Sequence, residues 1–432
     1  MGQFQGLIGI AGVLLAAYIF STDRGRINWR VVIGGVLLQG LLAFLLIRFQ
    51  PVVEAFDVFA AGVNEVIRSA DKGIEFLFGN KITDPSGPWG FIFAVKVLPV
   101  IIFFASLMSV LYYLRVIQPI VAVTGWALKQ ILGAGVTGAE TLAAAANIFV
   151  GQTEAPLFVK PYMPRMTRSQ IMALMVPGFA SIAGSVLAAY IGMLGGEDDA
   201  SRILFAKHLM TASVMSAPGG LVLAKMMMPE TETPPAEDFK GVELEQPAQN
   251  IVDAAALGAT DGLKLAANVA AMLVAFVALL ALLNLPLYAL GEWGPVLAWR
   301  QANEIGPFSF EGILGEVFRP VAWMIGVAWG DSGHVGELIG TQVIATEFVA
   351  YLRLDGMIHG SAVPVIDTRS AQIATYALCG FANIPSIAIQ IGGLSTMAPN
   401  RRADIAAMGA RAMVTGLMAL WMMAATASLF IR

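Results

Sequence analysis

Apolar runs of about twenty residues, the length a helix needs to cross a bilayer, recur along this chain. Candidate spans fall at residues 7–20, 31–47, 91–114, 171–194, 208–228, 265–290, 376–394 and 405–429. The first lacks a basic leading region and a small-residue cleavage motif, so it reads as a membrane helix rather than a removed signal peptide. Between the second and third spans, Val52, Phe56, Phe59, Val63, Val66, Ala70, Ile74 and Leu77 recur at spacings of three and four, while Glu54, Asp57, Glu65, Arg68 and Asp71 take other faces. That spacing predicts a helix lying along the membrane interface. The acidic, Pro-containing stretch 229–249 has few apolar residues and reads as a solvated loop. The pattern is that of an all-α polytopic membrane protein with about eight transmembrane helices.

Two further apolar stretches each contain a glutamate: Glu154 in ANIFVGQTEAPLFV and Glu347 in GTQVIATEFVAYL. A carboxylate in hydrocarbon costs roughly 2.5 kcal/mol or more, so such residues usually face a protein-lined, hydrated cavity. Neither stretch reads as a plain spanning helix. Gly151 and Pro156 interrupt the first, and Gly333, Gly336 and Gly340 precede the second, which suggests re-entrant backbone lining a cavity.

Basic residues orient the chain, because Lys and Arg accumulate in short cytoplasmic loops. Arg24, Arg26 and Arg30 place the first loop inside, and Lys160, Arg165 and Arg168 place both ends of the Glu154 segment there. Counting on, the Glu197-Asp198-Asp199 turn falls outside, the 229–249 loop inside, and Arg401 and Arg402 inside again. The Glu347 segment then opens outside, so the two interrupted segments approach the midplane from opposite faces. A weak internal repeat agrees: Gly178-Phe179-Ala180 and Gly380-Phe381-Ala382 follow the two segments, as Thr153-Glu154 and Thr346-Glu347 sit within them. A hairpin followed by a broken helix, present twice in inverted sense, is the arrangement expected of secondary transporters.

Composition narrows the chemistry. The 432 residues are 57% hydrophobic and 13% charged, with a net charge of -4, which gives no case for nucleic acid as a partner. The single cysteine, Cys379, excludes an internal disulfide and a multi-cysteine metal site. His208, His334 and His359 are dispersed without ligand spacing. Gln152-Thr153-Glu154, Ser181, Glu347, Asn383 and Ser386 supply amide, hydroxyl and carboxylate groups and no cation. A phosphate or dicarboxylate would meet unpaired negative charge there, so the expected substrate is neutral and rich in hydroxyls, which a carboxylate binds by charge-assisted hydrogen bonds. An amide pairs with a donor-acceptor edge such as a nucleobase, and Phe381 offers a surface for a flat ring.

Three stretches, Asn147-Ile148-Phe149-Val150-Gly151-Gln152-Thr153-Glu154-Ala155-Pro156, Glu347-Phe348-Val349-Ala350-Tyr351 and Ala377-Leu378-Cys379-Gly380-Phe381-Ala382-Asn383, resemble the signature segments of concentrative nucleoside transporters of the bacterial, sodium-coupled type. Val97-Leu98-Pro99 with Ile101-Ile102-Phe103-Phe104 is similar to that family's third membrane helix. The resemblance implies a homotrimer in a bacterial inner membrane and an elevator mechanism, with nucleosides such as uridine, cytidine and adenosine as substrates. It assigns 1–116 mainly to a scaffold, 117–228 to the first half of a transport domain, 229–256 to an acidic cytoplasmic loop, 257–300 to a scaffold helix and 301–432 to the second half. Carried over residue by residue, it implies that Gln152 and Thr153 meet the nucleobase directly and Glu154 through water, with Val186 and Phe381 packing on the base. Glu347, Asn383 and Ser386 would hold the ribose. Sodium, as coupling ion, would fall on Asn147, the carbonyls of Val150 and Ile182, and Ser181, and no other cofactor is implied.

Two departures from the family pattern bear on the site: Thr346 stands where asparagine is usual before the glutamate, and Ile384-Pro385 replaces a more typical Phe or Leu followed by a small residue. Three readings compete with sodium-coupled uptake. A proton-coupled carrier commonly loses the side-chain oxygens of the sodium site, whereas Asn147 and Ser181 are present. An intramembrane enzyme using the paired glutamates lacks any accompanying nucleophile-base motif. A channel fits hairpins entering from opposite faces less well than gated access does.

Overall fold

The computed structural model describes residues 4–83, 92–196, 198–234, 248–302, 308–360 and 365–431, and all regular structure among them is helical. Glu197 of the acidic turn, Phe91 of the third expected span and residues 235–247 of the acidic loop lie outside the described residues.

In chain order the helices are α1 (Gln5–Ile19), α2 (Trp29–Ile47), α3 (Gln50–Phe78), α4 (Asn80–Thr83), α5 (Phe93–Lys96), α6 (Leu98–Tyr113), α7 (Ile117–Leu132), α8 (Gly138–Ala146), α9 (Arg168–Phe179) and α10 (Gly184–Gly195). There follow α11 (Asp199–Met227), α12 (Ile251–Gly291), α13 (Gly294–Ala302), α14 (Phe310–Met324), α15 (Ser332–Ile344), α16 (Glu347–His359), α17 (Thr368–Ala377), α18 (Ile384–Met397) and α19 (Arg402–Ser428). Among the described residues, six stretches are long and apolar enough to cross a membrane. Two of the eight expected spans are not among them. Helix α1, at 15 residues, reaches only about 22 Å against a hydrocarbon core of roughly 30 Å, and 376–394 is divided between α17 and α18.

Helix α12 begins well before its expected span because Asn250 caps it, its side chain accepting from Asp253 N at 2.9 Å, and the amphipathic turn 251–264 continues the helix. Its 41 residues extend roughly 62 Å. The interfacial prediction corresponds to α3, with its register rotated: Val53, Ala60, Asn64, Ile67, Ala70 and Ile74 face the protein, whereas Phe59 and Leu77 are exposed.

The second arm of the first hairpin is not an α-helix. Pro156, Pro161 and Pro164 each remove a backbone donor, and the segment folds as 3-10 turns at Ala155–Val159 and Met163–Arg165. The second hairpin, free of such prolines, is two true helices, α15 and α16. The halves nevertheless repeat one order. An apolar helix (α6, α12), an amphipathic helix (α7, α14), a hairpin, a broken helix (α9/α10, α17/α18) and a long closing helix (α11, α19) follow each other twice. In each half the amphipathic helix backs on the first hairpin arm through glycine: a Cβ at Gly125 would lie 3.0 Å from Leu142 Cα, and one at Gly336 would lie 2.5 Å from the Gly315 carbonyl.

The basic loops gather at one end of the molecule. Thr22 N donates to Met227 O at 3.1 Å, Arg26 reaches Thr231 O at 3.4 Å, Asn400 reaches Pro164 O at 3.0 Å, and Arg401 donates to Met166 O. There a buried cluster fastens the root of the first hairpin: Lys225 of α11 pairs with Glu140 of α8 and donates to Ser169 Oγ at 3.0 Å, while Gln170 donates to Thr137 Oγ1 at 3.2 Å. Asp199 lies at the opposite end, where Asn64 of α3 donates to it at 3.2 Å and Arg68 pairs with it.

Candidate functional site

The two broken helices meet at their breaks. A Cβ at Gly380 would lie 2.5 Å from the Phe179 carbonyl, so glycine is required there, and one at Gly178 would press on the side chains of Gln390 and Gln152 at 2.7 and 3.0 Å. Phe381 N donates to Ser181 O at 3.3 Å, and Gly184 N to Phe149 O at 3.1 Å, joining the breaks to each other and to the tip of the first hairpin. Asn383 starts α18 as its N-cap, Oδ1 accepting from Ser386 N at 2.9 Å. Pro385 sits in the first turn, where a missing N–H is no loss, so this departure leaves the cap intact. Thr346 likewise serves as N-cap of α16, its Oγ1 accepting from Val349 N at 3.4 Å.

Beside these breaks lies a cavity of about 550 Å³. All eight expected substrate residues line it: Gln152, Thr153, Glu154, Val186, Glu347, Phe381, Asn383 and Ser386. The opposite wall comes from Ala105, Met108, Ser109 and Tyr112 of α6 and from Gly258, Asp261, Gly262, Lys264, Leu265 and Asn268 of α12.

The two glutamates, alike in sequence, differ in setting. Glu347 is 3% exposed, with Tyr190 Oη donating to one carboxylate oxygen at 2.9 Å and Asn383 Nδ2 to the other at 2.7 Å. Glu154 opens to the cavity and folds back on the hairpin tip, accepting from Gly151 N at 2.6 Å. A Cβ at Gly151 would stand 3.0 Å from that carboxylate, so a larger residue would crowd this contact.

Of the expected ion ligands, only Val150 lines the cavity, while Asn147, Ser181 and Ile182 are buried behind it. Their donor set suits a small hard cation, which wants oxygen ligands. Asn147 Nδ2 donates to Ala143 O at 3.0 Å, and its Oδ1 is buried without a hydrogen-bond partner among the described residues. Ser181 Oγ spends its proton on Pro177 O at 2.8 Å and keeps lone pairs free. Among the described residues no backbone N–H bonds to the carbonyls of Val150 or Ile182.

One expectation is corrected. The sequence reading placed no cation in the constellation, but Lys264 lines the cavity mouth, paired with Asp261 at 3.0 Å and well exposed. Asp261, Lys264 and Asn268 share one helical face at i, i+3 and i+7, and a lone asparagine within an apolar run was the available signal. Tyr190 was also missed, although a buried phenol needs a hydrogen-bond partner.

The sequence matches the family model for the Na+ dependent nucleoside transporter C-terminus over residues 208–428, that for its N-terminus over 8–81, and a nucleoside recognition gate over 94–197. A Haemophilus influenzae protein described as an uncharacterized transporter is 43% identical over 100% of this chain and 98% of its own length. The nucleoside permease NupC of Helicobacter pylori is 39% identical over 98% of this chain and 97% of its own. Human solute carrier family 28 member 3 is 40% identical over 99% of this chain, which spans 60% of that longer protein. CNTnw, solved in an inward-facing substrate-bound state, superposes with a TM-score of 0.89 at 41% identity, covering 100% of this chain and 98% of that one. The chain belongs to the concentrative nucleoside transporter family. Its relatives are transporters, so the enzyme reading of the paired glutamates falls away. An outward-facing variant of CNTnw superposes as well, with a TM-score of 0.88 at 41% identity over 100% of this chain and 98% of that one. That relative visits both faces, as alternating access requires. This concentrative nucleoside transporter is a multi-pass membrane protein, and its cavity separates the hairpins and broken helices from the α6–α12 wall.

Proposed function

We propose that this chain imports nucleosides into a bacterial cell by sodium symport, working as an inner-membrane homotrimer whose two re-entrant hairpins and broken helices move past a scaffold as an elevator. The observation that carries the reading is the buried carboxylate of Glu347, held by Tyr190 and Asn383 at the edge of a cavity that also presents Gln152. An ionised acceptor fixed beside an amide suits a ribose joined to a base. Glu347, Asn383 and Ser386 take the ribose. Gln152 and Thr153 meet the base directly, Glu154 does so through water, and Val186 and Phe381 pack on its faces.

Sodium enters as a co-substrate on Asn147 Oδ1, Ser181 Oγ and the carbonyls of Val150 and Ile182. Asn147 and Val150 lie on the non-helical segment that leads into Gln152, and Ser181 and Ile182 lie in the break that leads into Val186. An ion joining them orders both base-facing segments, which is the differential affinity that coupling needs. The cavity is walled by the C-terminal half of α6 and the N-terminal half of α12, and the basic loops put both on the cytoplasmic side, so the arrangement is inward-facing.

The decisive experiment is uptake of tritiated uridine into proteoliposomes under an imposed sodium gradient compared with a proton gradient. Uptake driven by protons alone would replace this reading with the proton-coupled one. Within the sodium reading, Asn147→Ala is expected to raise the sodium concentration needed for half-maximal uridine binding while leaving the folded protein intact, and equal sodium affinity would remove Asn147 from the ion site. Uridine and adenosine are expected to compete for uptake, and uridine monophosphate is not. Lys264 is already paired and sits at the mouth, while two carboxylates face the interior, so a phosphate entering the site meets net negative charge. Potent inhibition by the monophosphate that disappears in Lys264→Gln would show that Lys264 reaches the bound ligand.

A further inference from the structure

Helix α18 turns polar side chains inward. Ser386, Gln390 and Ser395 lie on its buried face, and Ser386 lines the cavity while Gln390, one turn further on, stands behind it. Gln390 Nε2 donates to the carbonyl of Met175 on α9 at 2.9 Å, which ties the second half of the molecule to the first. That acceptor fixes which end of the amide is nitrogen. It engages one N–H of two, and neither the second N–H nor the buried Oε1 has a partner among the described residues.

The tip of the first hairpin sits against this amide. A Cβ at Gly178 of α9 would lie 2.7 Å from Gln390 Nε2, 3.0 Å from Gln152 Cβ and 3.4 Å from Gln152 Cα, so the two glutamines close over the space that the glycine leaves. Thr153 packs on α18 beside them, since a Cβ at Gly393 would lie 3.0 Å from its Cγ2. Gln152 is buried too, and its Oε1 has no partner among the described residues. An acceptor in that position is costly until a donor reaches it. Gln390 holds an uncommitted N–H at the same place.

We propose that Gln390 is a positioning residue for base recognition: with a nucleoside bound, its second N–H donates to Gln152 Oε1 and so turns the Gln152 NH2 toward the base. A glutamine free to rotate presents either a donor or an acceptor. With its oxygen held on Gln390, Gln152 reads an acceptor on the base edge, either a carbonyl oxygen or an unprotonated ring nitrogen. Pyrimidines and purines both carry such atoms, so the device selects the polarity of the edge rather than the size of the ring. The proposal rests on the reading above that Gln152 meets the base.

The test is a double-variant cycle on equilibrium binding of tritiated uridine. Gln390→Met keeps the length of the side chain and removes its donors. It is expected to weaken uridine binding about three- to ten-fold in the parent background, and to change little once Gln152→Ala has removed the acceptor. The loss should be the same for uridine and its 2′- and 3′-deoxy analogues, because the ribose contacts are untouched. An equal loss in both backgrounds would show that Gln390 only holds α18 to α9, and would overturn the proposal, as would parent affinity in a folded Gln390→Met protein. If Gln152→Ala by itself leaves uridine binding unaltered, the base reading of Gln152 falls and this inference falls with it. Should Gln390→Met not fold, Gly178→Ala decides, since its methyl presses on both glutamines where they meet. A loss common to uridine and its deoxy analogues is expected there, and affinity at the parent value would overturn the proposal.

Discussion

Replacing Glu347 by glutamine is expected to weaken uridine binding by about ten-fold to over a hundred-fold, since a hydrogen bond to a charged acceptor is worth ~1.5 to 3 kcal/mol. The surroundings add to the loss. Tyr190 Oη and Asn383 Nδ2 both donate into this carboxylate, and a glutamine would point its own NH2 at one of them. The effect should depend on the sugar. Removing the relevant hydroxyl from the ligand should cost the parent protein far more than the variant, where the partner is already absent. If uridine and its 2′- and 3′-deoxy analogues all lose the same factor, Glu347 acts through folding, and its assignment to the ribose is wrong. Tyr190→Phe, which deletes one supporting donor, should give a smaller loss that does not distinguish the sugars.

The largest expected effect on stability comes from Lys225→Met. Glu140 is wholly buried and Lys225 is 4% exposed, so removing the lysine strands a carboxylate among α8, α9 and α11. Breaking a buried pair from one side costs roughly 3 to 5 kcal/mol. Thermal unfolding in detergent should show a large drop for Lys225→Met, and Lys225→Met combined with Glu140→Gln should recover much of it. A double variant as unstable as the single one would mean that the lysine acts by packing its methylenes rather than by charge.

The long apolar helices were legible in sequence because hydrocarbon imposes both their length and their composition. The hairpins were legible for the opposite reason, since Glu154 and Glu347 break a rule that lipid enforces. Boundaries failed where amphipathic turns extend a helix: nothing in the 251–264 segment looks membrane-embedded, yet its Asn250 cap makes it part of α12. The register of α3 failed because its apolar residues occupy more than one face, and only packing decides that Asn64 turns inward to meet Asp199. Among site residues, those on the hairpins and breaks carry polar groups at local interruptions, which sequence displays. Tyr190 lies mid-helix with no interruption to mark it, and Lys264 joins the cavity only because α12 crosses opposite the breaks. Pro385 looked disruptive in sequence but falls in the first turn of α18, the place where a helix tolerates proline.

The seam between α6 and α12 has a mechanical meaning. A Cβ at Gly258 would stand 2.6 Å from the Ala105 carbonyl, and one at Gly262 would stand 2.8 Å from Ile102 Cα, so the two helices touch backbone to backbone, as small residues allow within a membrane. At these two glycines the wall holds only small side chains, Ala105, Ser106 and Ser109, and Ser106 Oγ ties the helices together by donating to Ala255 O at 2.9 Å. In the elevator proposed above such a wall serves as a guide rail, with the solute carried along it and passage governed by how well the moving face slides rather than by a door that opens in it. Gly262→Ala, which adds a methyl against Ala105 and Ile102 of α6, would wedge the rail, and is expected to slow the turnover of transport far more than it changes equilibrium uridine affinity.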